Sequence, residues 1–153
     1  MSVNIKFPPQ GFYFSVEILG TATSVQEAGF QEVSGISATM GKDTIQEGGE
    51  NRFVHKVPKN IEYTDLQLKR GLIVADSQFG DWCLEHLSDG LNSKISVKDL
   101  IVHLMDTATK SPIMSWAFAR AYPVKWDVSQ LDARKSDIVV ESLHITYAYF
   151  TVV

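Results

Sequence analysis

The sequence predicts a mainly β fold, either a closed barrel or two packed sheets, with one α-helix outside and a long β-ribbon projecting from it. Three observations lead to this prediction. Strict alternation of apolar and polar residues marks several short strands, as at residues 12–19. A single stretch, 77–90, has helical spacing. The 153 residues fit one domain, 1–153, without a compositional break.

The ribbon occupies residues 30–58 and is the segment around which the rest of the chain is organised. Its first arm is predicted at 30–45 and its second at 51–57. A turn signal lies between them at Gly48, Gly49, Glu50 and Asn51, because glycine and asparagine tolerate the positive φ of a tight reversal.

Apolar residues are too sparse in the ribbon to form a dry core on either face. A polar strand pair of this length is unstable alone and leaves N–H and C=O groups unpaired along its edges. The leading hypothesis is therefore self-assembly, in which the ribbon pairs with neighbouring copies. The alternative is a loose surface hairpin.

The remaining elements follow in order. Residues 1–10 contain Pro8 and Pro9 and are predicted to form an extended arm. A strand follows at 12–19, a loop at 21–29, a break at 58–60 and another strand at 61–69.

The helix is predicted at 77–90, with Asp76 or Ser77 as its N-cap and Gly90 as its stop. Trp82 lies on its apolar side and is interpreted as an anchor that holds the helix on a sheet.

Strands dominate again from Ile95 onwards. Trp116 and Trp126 are further candidate structural anchors, and Pro123 is expected to bend or end the strand between them. In that strand Ser115, Ala117, Ala119 and Ala121 share one parity, so small residues are expected to face a close neighbour. The last strand is predicted to continue without interruption to Phe150.

Charge and composition exclude several classes of function. The net charge of −4 and the absence of a basic run argue against binding nucleic acid through its phosphates. No stretch has the length of a membrane span or the pattern of a signal peptide, so synthesis as a soluble cytoplasmic protein is expected. The single Cys83 rules out an intrachain disulfide.

The sequence contains no catalytic or cofactor-binding motif. His55, His86, His103 and His144 lack metal-ligand spacing, and Cys83 lies among core positions. The glycine pair of the ribbon lacks the framework of a phosphate-binding loop. We therefore expect neither an enzyme nor a cofactor or metal site.

Several short strings together resemble one known family. They are FQEVSG at 30–35, EGGEN at 47–51, LKRG at 68–71, a helix with Trp82, SW at 115–116, AYPVKW at 121–126 and ESL at 141–143. In this order and spacing the chain resembles the tail-tube proteins of contractile phages and phage-like contractile injection systems, which are related to the haemolysin-coregulated protein of type VI secretion.

The resemblance implies an orthogonally packed β sandwich or barrel whose copies form stacked hexameric rings around a channel. The implied partners are further copies, a sheath, baseplate or spike proteins, a cap and cargo in the lumen, within a phage tail or a phage-like particle released from the cell. Ser37, Thr39 and Gln46 become candidates for lining the lumen, with the inward parity left open. A tube initiator that joins spike to tube is the near alternative, and a secreted ring-shaped effector carrier is the distant one.

Overall fold

The computed structural model describes residues 11–20, 25–49, 51–72, 77–135 and 137–153. This part of the chain contains nine strands and one α-helix, which confirms the predicted mainly β fold with a single helix. The strands are β1 (Phe12–Ile18), β2 (Val25–Ser34), β3 (Ala38–Ile45), β4 (His55–Tyr63), β5 (Leu66–Gly71), β6 (Lys98–Asp106), β7 (Pro112–Val128), β8 (Val140–Thr146) and β9 (Tyr149–Val152). Helix α1 (Gln78–Asp89) lies between β5 and β6 and continues into a 3-10 turn at Gly90–Asn92. The predicted arm 1–10, Glu50 and Asp76 lie outside the described residues.

Six strands close into a barrel. Their order is β6-β1-β2-β5-β8-β7, and β7 pairs back onto β6. All the pairings are antiparallel. Closure pairs strands that would otherwise be sheet edges, so the barrel itself offers few sites for further strand pairing.

The predicted long last strand is interrupted. Tyr122 lies opposite Thr146 and Ala119 opposite Tyr149, so each strand advances by three residues and β9 continues the register of β8 along β7. Tyr147 and Ala148 separate the two strands. Tyr147 keeps the inward parity of β8, whereas Phe150, three residues later, also packs against the core, so this break changes which parity faces inward.

One parity of each barrel strand fills the interior. Val16 and Ile18 are buried, as the alternation in residues 12–19 predicts. The core cluster consists of Val16, Ile18, Phe30, Leu66, Leu68, Phe79, Trp82, Cys83, Leu100, Val102, Phe118, Ala121, Leu143, Ile145 and Tyr147. The helix contributes to this core through Phe79, whose ring packs edge-on against Phe30 at 5.7 Å between centroids.

Helix α1 lies within the span predicted from the sequence. Ser77 has extended backbone angles and its side-chain oxygen accepts a hydrogen bond from the Gly80 N–H at 2.9 Å, which is the N-cap arrangement. Gly90 follows the helix with a φ of 54°, a conformation that glycine adopts without strain.

Two boundary predictions were wrong. Strand β2 begins at Val25, inside the segment predicted as a loop, because pairing with β1 overrides its low strand propensity. Strand β4 continues through Pro58, which an edge strand tolerates when the missing N–H would point away from its partner. Strand β7 continues past Pro123, but its register with β8 shifts directly after this residue, so the predicted bend at Pro123 is present.

The predicted parity within β7 was also wrong beyond Ala119. Arg120 has a φ of 51°, and the register with β6 shifts in this region. Phe118 and Ala121 are therefore both buried, although they lie an odd number of residues apart. A local bulge of this kind re-aims the side chains that follow it.

Candidate assembly interface

Strands β3 and β4 and the loop between them form the protruding element, which we call the ribbon. Ser34 lies opposite Gln67 and Ala38 opposite Tyr63, so each strand advances by four residues between these pairs. The pairing of β3 with β4 in the ribbon therefore continues the register of β2 with β5 in the barrel. The predicted first arm is divided at residues 35–37 into the end of β2 and the whole of β3. The second arm is β4, which is longer than predicted and begins at His55.

The division coincides with a close backbone contact at Gly35. Gly35 has a φ of 86°, and a Cβ at this position would lie 1.9 Å from the carbonyl oxygen of Asp65. Thr64 Oγ1 donates a hydrogen bond to the Gly35 carbonyl at 2.8 Å, and the Tyr147 hydroxyl donates to the same oxygen at 3.3 Å. Glycine is required here because any side chain would push apart the segment that joins β2 to β3 and the segment that joins β4 to β5.

The ribbon has two different faces, and one of them continues the barrel interior. Directly opposed residues share a face, so Ala38, Met40, Ile61 and Tyr63 lie together. The Tyr63 ring packs against the core ring of Tyr147 at 5.9 Å. We call this side of the ribbon the core-side face and the other its outer face.

The core-side face exposes apolar side chains once it leaves the barrel. Met40 is 57% exposed and Ile61, directly opposite, is 46% exposed. Phe53 and Val54, in the loop between β3 and β4, are exposed as well, and Ile45 and Val57 are exposed on the other side of the ribbon near the tip. Apolar residues grouped on a projecting element mark a surface that becomes covered in an assembly.

Both long edges of the ribbon are available for pairing. Among the described strands, β3 and β4 pair with each other and with no third strand. Gly41 interrupts their register opposite Lys59 and Asn60, which shifts the pairing by one residue. Unpaired edges of this length favour strand addition from another chain.

The outer face of the ribbon carries polar side chains that contact one another. The Nζ of Lys59 lies 2.6 Å from Asp43 Oδ1. Near the tip, His55 Nε2 lies 3.6 Å from Glu47 Oε1, and the Phe53 ring packs edge-on against His55. These exposed contacts order the ribbon surface and contribute little stability by themselves.

The residues predicted for the ribbon turn lie in a loop longer than a two-residue turn. Gly48, Gly49 and Asn51 all fall between β3 and β4, and Gly49 has a φ of 97°. Gly48 is not in the positive-φ region. A Cβ at either glycine would meet no atom within 4 Å, so conformation and not space favours glycine at Gly49.

The three lumen candidates from the sequence do not form one row. Thr39 lies in β3 opposite Glu62, on the outer face. Ser37 lies in the break before β3 and Gln46 directly follows it. Sequence parity does not carry across the break, because residues 35–37 are not in a strand.

The three tryptophans occupy different environments. Trp82 is buried, and its Nε1 donates to the Ser96 carbonyl at 3.3 Å. Trp116 is half-buried in β7, opposite Val102 and Val152. Trp126 is 36% exposed, and its Nε1 donates to Glu141 Oε1 at 3.0 Å.

A buried polar cluster, not foreseen from the sequence, joins the barrel to the helix. Arg70 is 1% exposed, with its Nε 3.4 Å from Glu141 Oε2. Its Nη2 donates to the Ser77 hydroxyl at 2.8 Å, and its guanidinium lies 4.8 Å from the centre of the Phe30 ring. One side chain therefore links β5, β8, β2 and the helix N-cap. The string LKRG contains this arginine, but its burial depends on strand pairing across distant parts of the chain.

A protein-family model matches the sequence of this chain. The model described as T4-like virus tail tube protein gp19 matches residues 10–151, nearly the whole sequence. The chain belongs to this tail-tube family. The resemblance inferred from the sequence is thereby confirmed, and the family is one of structural components of tails.

Solved structures share this fold along nearly their full length. With a chain of the anti-feeding prophage (AFP) baseplate, 6-fold symmetrised, the TM-score is 0.79 at 21% identity, covering 100% of this chain and 97% of that one. The structure of an extracellular contractile injection system, described as the PVC sheath/tube terminator in extended state, gives a TM-score of 0.74 at 20% identity. The match covers 99% of both chains. Hcp1 from Flavobacterium johnsoniae gives 0.55 at 13% identity, covering 92% and 94%. No curated protein matches the sequence.

One group of side chains in this tail-tube protein contains the residue types of a hydrolase triad. Ser115 Oγ lies 2.7 Å from His103 Nδ1, and His103 Nε2 lies 3.3 Å from Glu17. In hydrolase triads the serine faces Nε2, so this order is reversed. Ser115 also lies within β7 where that strand pairs with β6 on one side and with β9 on the other. The group is best explained as a set of side-chain hydrogen bonds that connects the neighbouring strands β1, β6 and β7.

No three His, Cys, Asp or Glu side chains in the described part of the chain are arranged to hold a metal ion. Within the same residues, no helix combines the length and apolar character needed to cross a membrane.

Tyr147, near the base of the ribbon, has a pKa that its surroundings raise. Burial raises the pKa of the Tyr147 hydroxyl, and the nearby Asp65 and Tyr63 raise it further. Each factor disfavours a negative charge at this position. The hydroxyl therefore remains a donor to the Gly35 carbonyl at neutral pH.

Proposed function

We propose that this protein is the structural subunit of the inner tube of a contractile injection system or phage tail, and that its copies form stacked hexameric rings around a channel. The observation that carries the proposal is the ribbon. It projects in register from a closed barrel, both its edges lack partners among the described strands, and it exposes Met40 and Ile61 on the face that is core elsewhere.

A ring explains how such an element is used. A ribbon that pairs with a different surface of the next copy makes a heterologous contact, and repeated heterologous contacts close into a ring when the rotation permits. The six-fold symmetry stated for the AFP baseplate structure supports six copies. Burying the ribbon would remove both its exposed apolar area and its free edges from water.

In this role the protein acts by assembly and has no catalytic reaction or cofactor of its own. It would be made in the cytoplasm and built into a particle with sheath, baseplate or spike, and cap proteins. The neighbouring structures are named for a baseplate, a sheath/tube terminator and a tube terminating cap, which supports partners of these kinds. Cargo would pass through the lumen.

A tube initiator that joins spike to tube is the second candidate. The similarity to a chain in the AFP baseplate structure favours it, since an initiator lies at the baseplate end of a tube. The two roles differ in their requirement for partners. A major tube protein adds to copies of itself, whereas an initiator starts a tube and stops.

Negative-stain electron microscopy of the purified protein, with light scattering on the same sample, tests the proposal. Rings six times the subunit mass, or stacked tubes, are expected, and tube growth without partners favours the major tube role over the initiator. Single rings that never stack favour the initiator. A strict monomer at every concentration contradicts self-assembly of the chain.

A further inference from the structure

The segment that leads from helix α1 to strand β6 is held on the helix by two side chains. Residues 94–97 are exposed and belong to neither a helix nor a strand. The Trp82 indole Nε1 donates a hydrogen bond to the Ser96 carbonyl at 3.3 Å, and the Ser96 N–H donates to His86 Nε2 at 2.9 Å. Residues at this spacing lie one helical turn apart on the same face of a helix. Trp82 and His86 therefore hold both backbone groups of one residue.

These two contacts carry most of what fixes the segment in place. Within the described part of the chain, residues 94–97 make no other hydrogen bond. Their apolar side chains, Ile95 and Val97, are both exposed, so burial holds the segment only weakly. The position of the segment therefore depends on Trp82 and His86.

The hydrogen bond from Ser96 defines the protonation state of His86. A backbone N–H can only donate, so Nε2 is the acceptor and the proton of the neutral imidazole is on Nδ1. A protonated imidazole carries N–H groups on both nitrogens and cannot accept. Protonation would make two N–H groups face each other across 2.9 Å. The charged form of His86 and this hydrogen bond therefore exclude each other.

Charged side chains of both signs lie on the elements around His86. They are Glu85 and Asp89 of α1, Lys94 of the segment, Lys98 of β6, Glu32 of β2, and Arg120, Lys125 and Asp127 of β7. Lys98 Nζ lies over the Trp82 ring, 5.7 Å from its centre. Among the described residues none of these groups forms an ion pair with His86. No carboxylate contact therefore compensates for the hydrogen bond that protonation removes.

From this geometry we propose that Trp82, His86 and Ser96 form a pH-dependent latch, which holds residues 94–97 on α1 while His86 is neutral and releases them when it is protonated. Histidine changes its charge between about pH 5 and 8. The latch is therefore closed above this range and opens as the pH falls through it. His86 and Ser96 are not part of the core cluster, so the opening is local and the barrel stays folded. Because the latch lies within one subunit, the inference does not depend on the proposed function.

Hydrogen–deuterium exchange of the full-length protein at about pH 8 and about pH 5, the limits of the histidine range, tests the latch. Mass spectrometry follows the peptide that contains Ser96, and the rates are corrected for the intrinsic effect of pH. We expect the protection of this peptide to fall about tenfold at the lower pH, which corresponds to the loss of one hydrogen bond.

Two variants separate His86 from other titrating groups. The side-chain carbonyl of His86→Gln can accept a hydrogen bond and does not titrate, so this variant should stay protected at both pH values. His144→Gln removes a histidine of β8 that makes no contact with the segment, and it should respond to pH as the unmodified protein does.

Three results would overturn the inference. The first is equal protection of the unmodified protein at both pH values. The second is a fall in His86→Gln as large as in the unmodified protein, because another group would then be the sensor. The third needs no variant and comes from nitrogen NMR of the isotope-labelled imidazole, which reports the tautomer. We expect the proton of neutral His86 on Nδ1, and a proton on Nε2 would contradict the latch.

Discussion

The guanidinium of Arg70 lies 3.4 Å from the carboxylate of Glu141 inside the barrel, and neither residue is more than 4% exposed. Removing one partner leaves an uncompensated buried charge, which costs about 3–5 kcal/mol. We expect Arg70→Met and Glu141→Leu each to lower the free energy of unfolding by about that amount. Urea denaturation of dissociated subunits, followed by tryptophan fluorescence, measures the effect.

The double variant Arg70→Met with Glu141→Leu is the control for this pair. An apolar replacement of both partners is often close to neutral, so the double variant should be more stable than either single variant. The indole of Trp126, which donates to Glu141, is part-exposed and can turn to water. Additive losses in the double variant would contradict a coupled pair.

Gly35 sets the contact between the barrel and the ribbon, and we expect Gly35→Ala to be strongly destabilising because its Cβ would lie 1.9 Å from the Asp65 carbonyl oxygen. Gly29→Ala is a matched control, since Gly29 also has a positive φ, of 97°, but has open space around it. The control should lose about 1–2 kcal/mol from backbone conformation alone. Thermal melting compares the two, and equal losses would show that the close contact is unimportant.

The loop at the ribbon tip provides a test of assembly without unfolding. A β-branched residue resists the positive φ of Gly49, so the double variant Gly48→Val, Gly49→Val should keep a folded barrel but lose normal ring closure or stacking. Gly48→Val alone should assemble normally, because Gly48 is not in that region. Electron microscopy and melting of both variants give the readout. Normal tubes from the double variant would argue against a role of the tip.

The two faces of the ribbon should respond differently to the same substitution. Met40→Lys places a charge on the apolar core-side face and is expected to abolish rings, while the free energy of unfolding changes by no more than about 0.5 kcal/mol because the side chain is exposed. Thr39→Lys, one residue earlier on the outer face, should still assemble. Light scattering reports the assembly state. Equal loss in both variants would contradict the distinction between the faces.

The sequence predicted the strands with one buried face and the helix well, because alternation and helical spacing are local signals. It failed where distant contacts decide the local conformation. The break at Gly35 depends on Asp65, which is far along the chain, and Arg120 shifts the parity of β7 in a region that alternates regularly in sequence. The buried position of Arg70 was not predictable from its string, since charged residues are rarely enclosed.

Tyr147 gives a prediction about pH. Its pKa is raised above the ordinary value of 10.0, so its contribution to stability is complete below that pH and is lost as the pH rises through the higher folded-state value. The melting temperature should therefore fall above pH 10 less steeply in Tyr147→Phe than in the unmodified protein. The exposed Tyr149→Phe is the control and should follow the unmodified protein. Identical alkaline slopes for all three proteins would rule out this contribution.

The unbroken register between barrel and ribbon has a consequence for how the length of the ribbon can change. Residues added in matched numbers to β3 and β4 lengthen the hairpin without changing a single pair in β2 and β5. The length of the ribbon can therefore vary while the barrel stays the same. A change of length in this one segment therefore leaves every pair of the barrel in place.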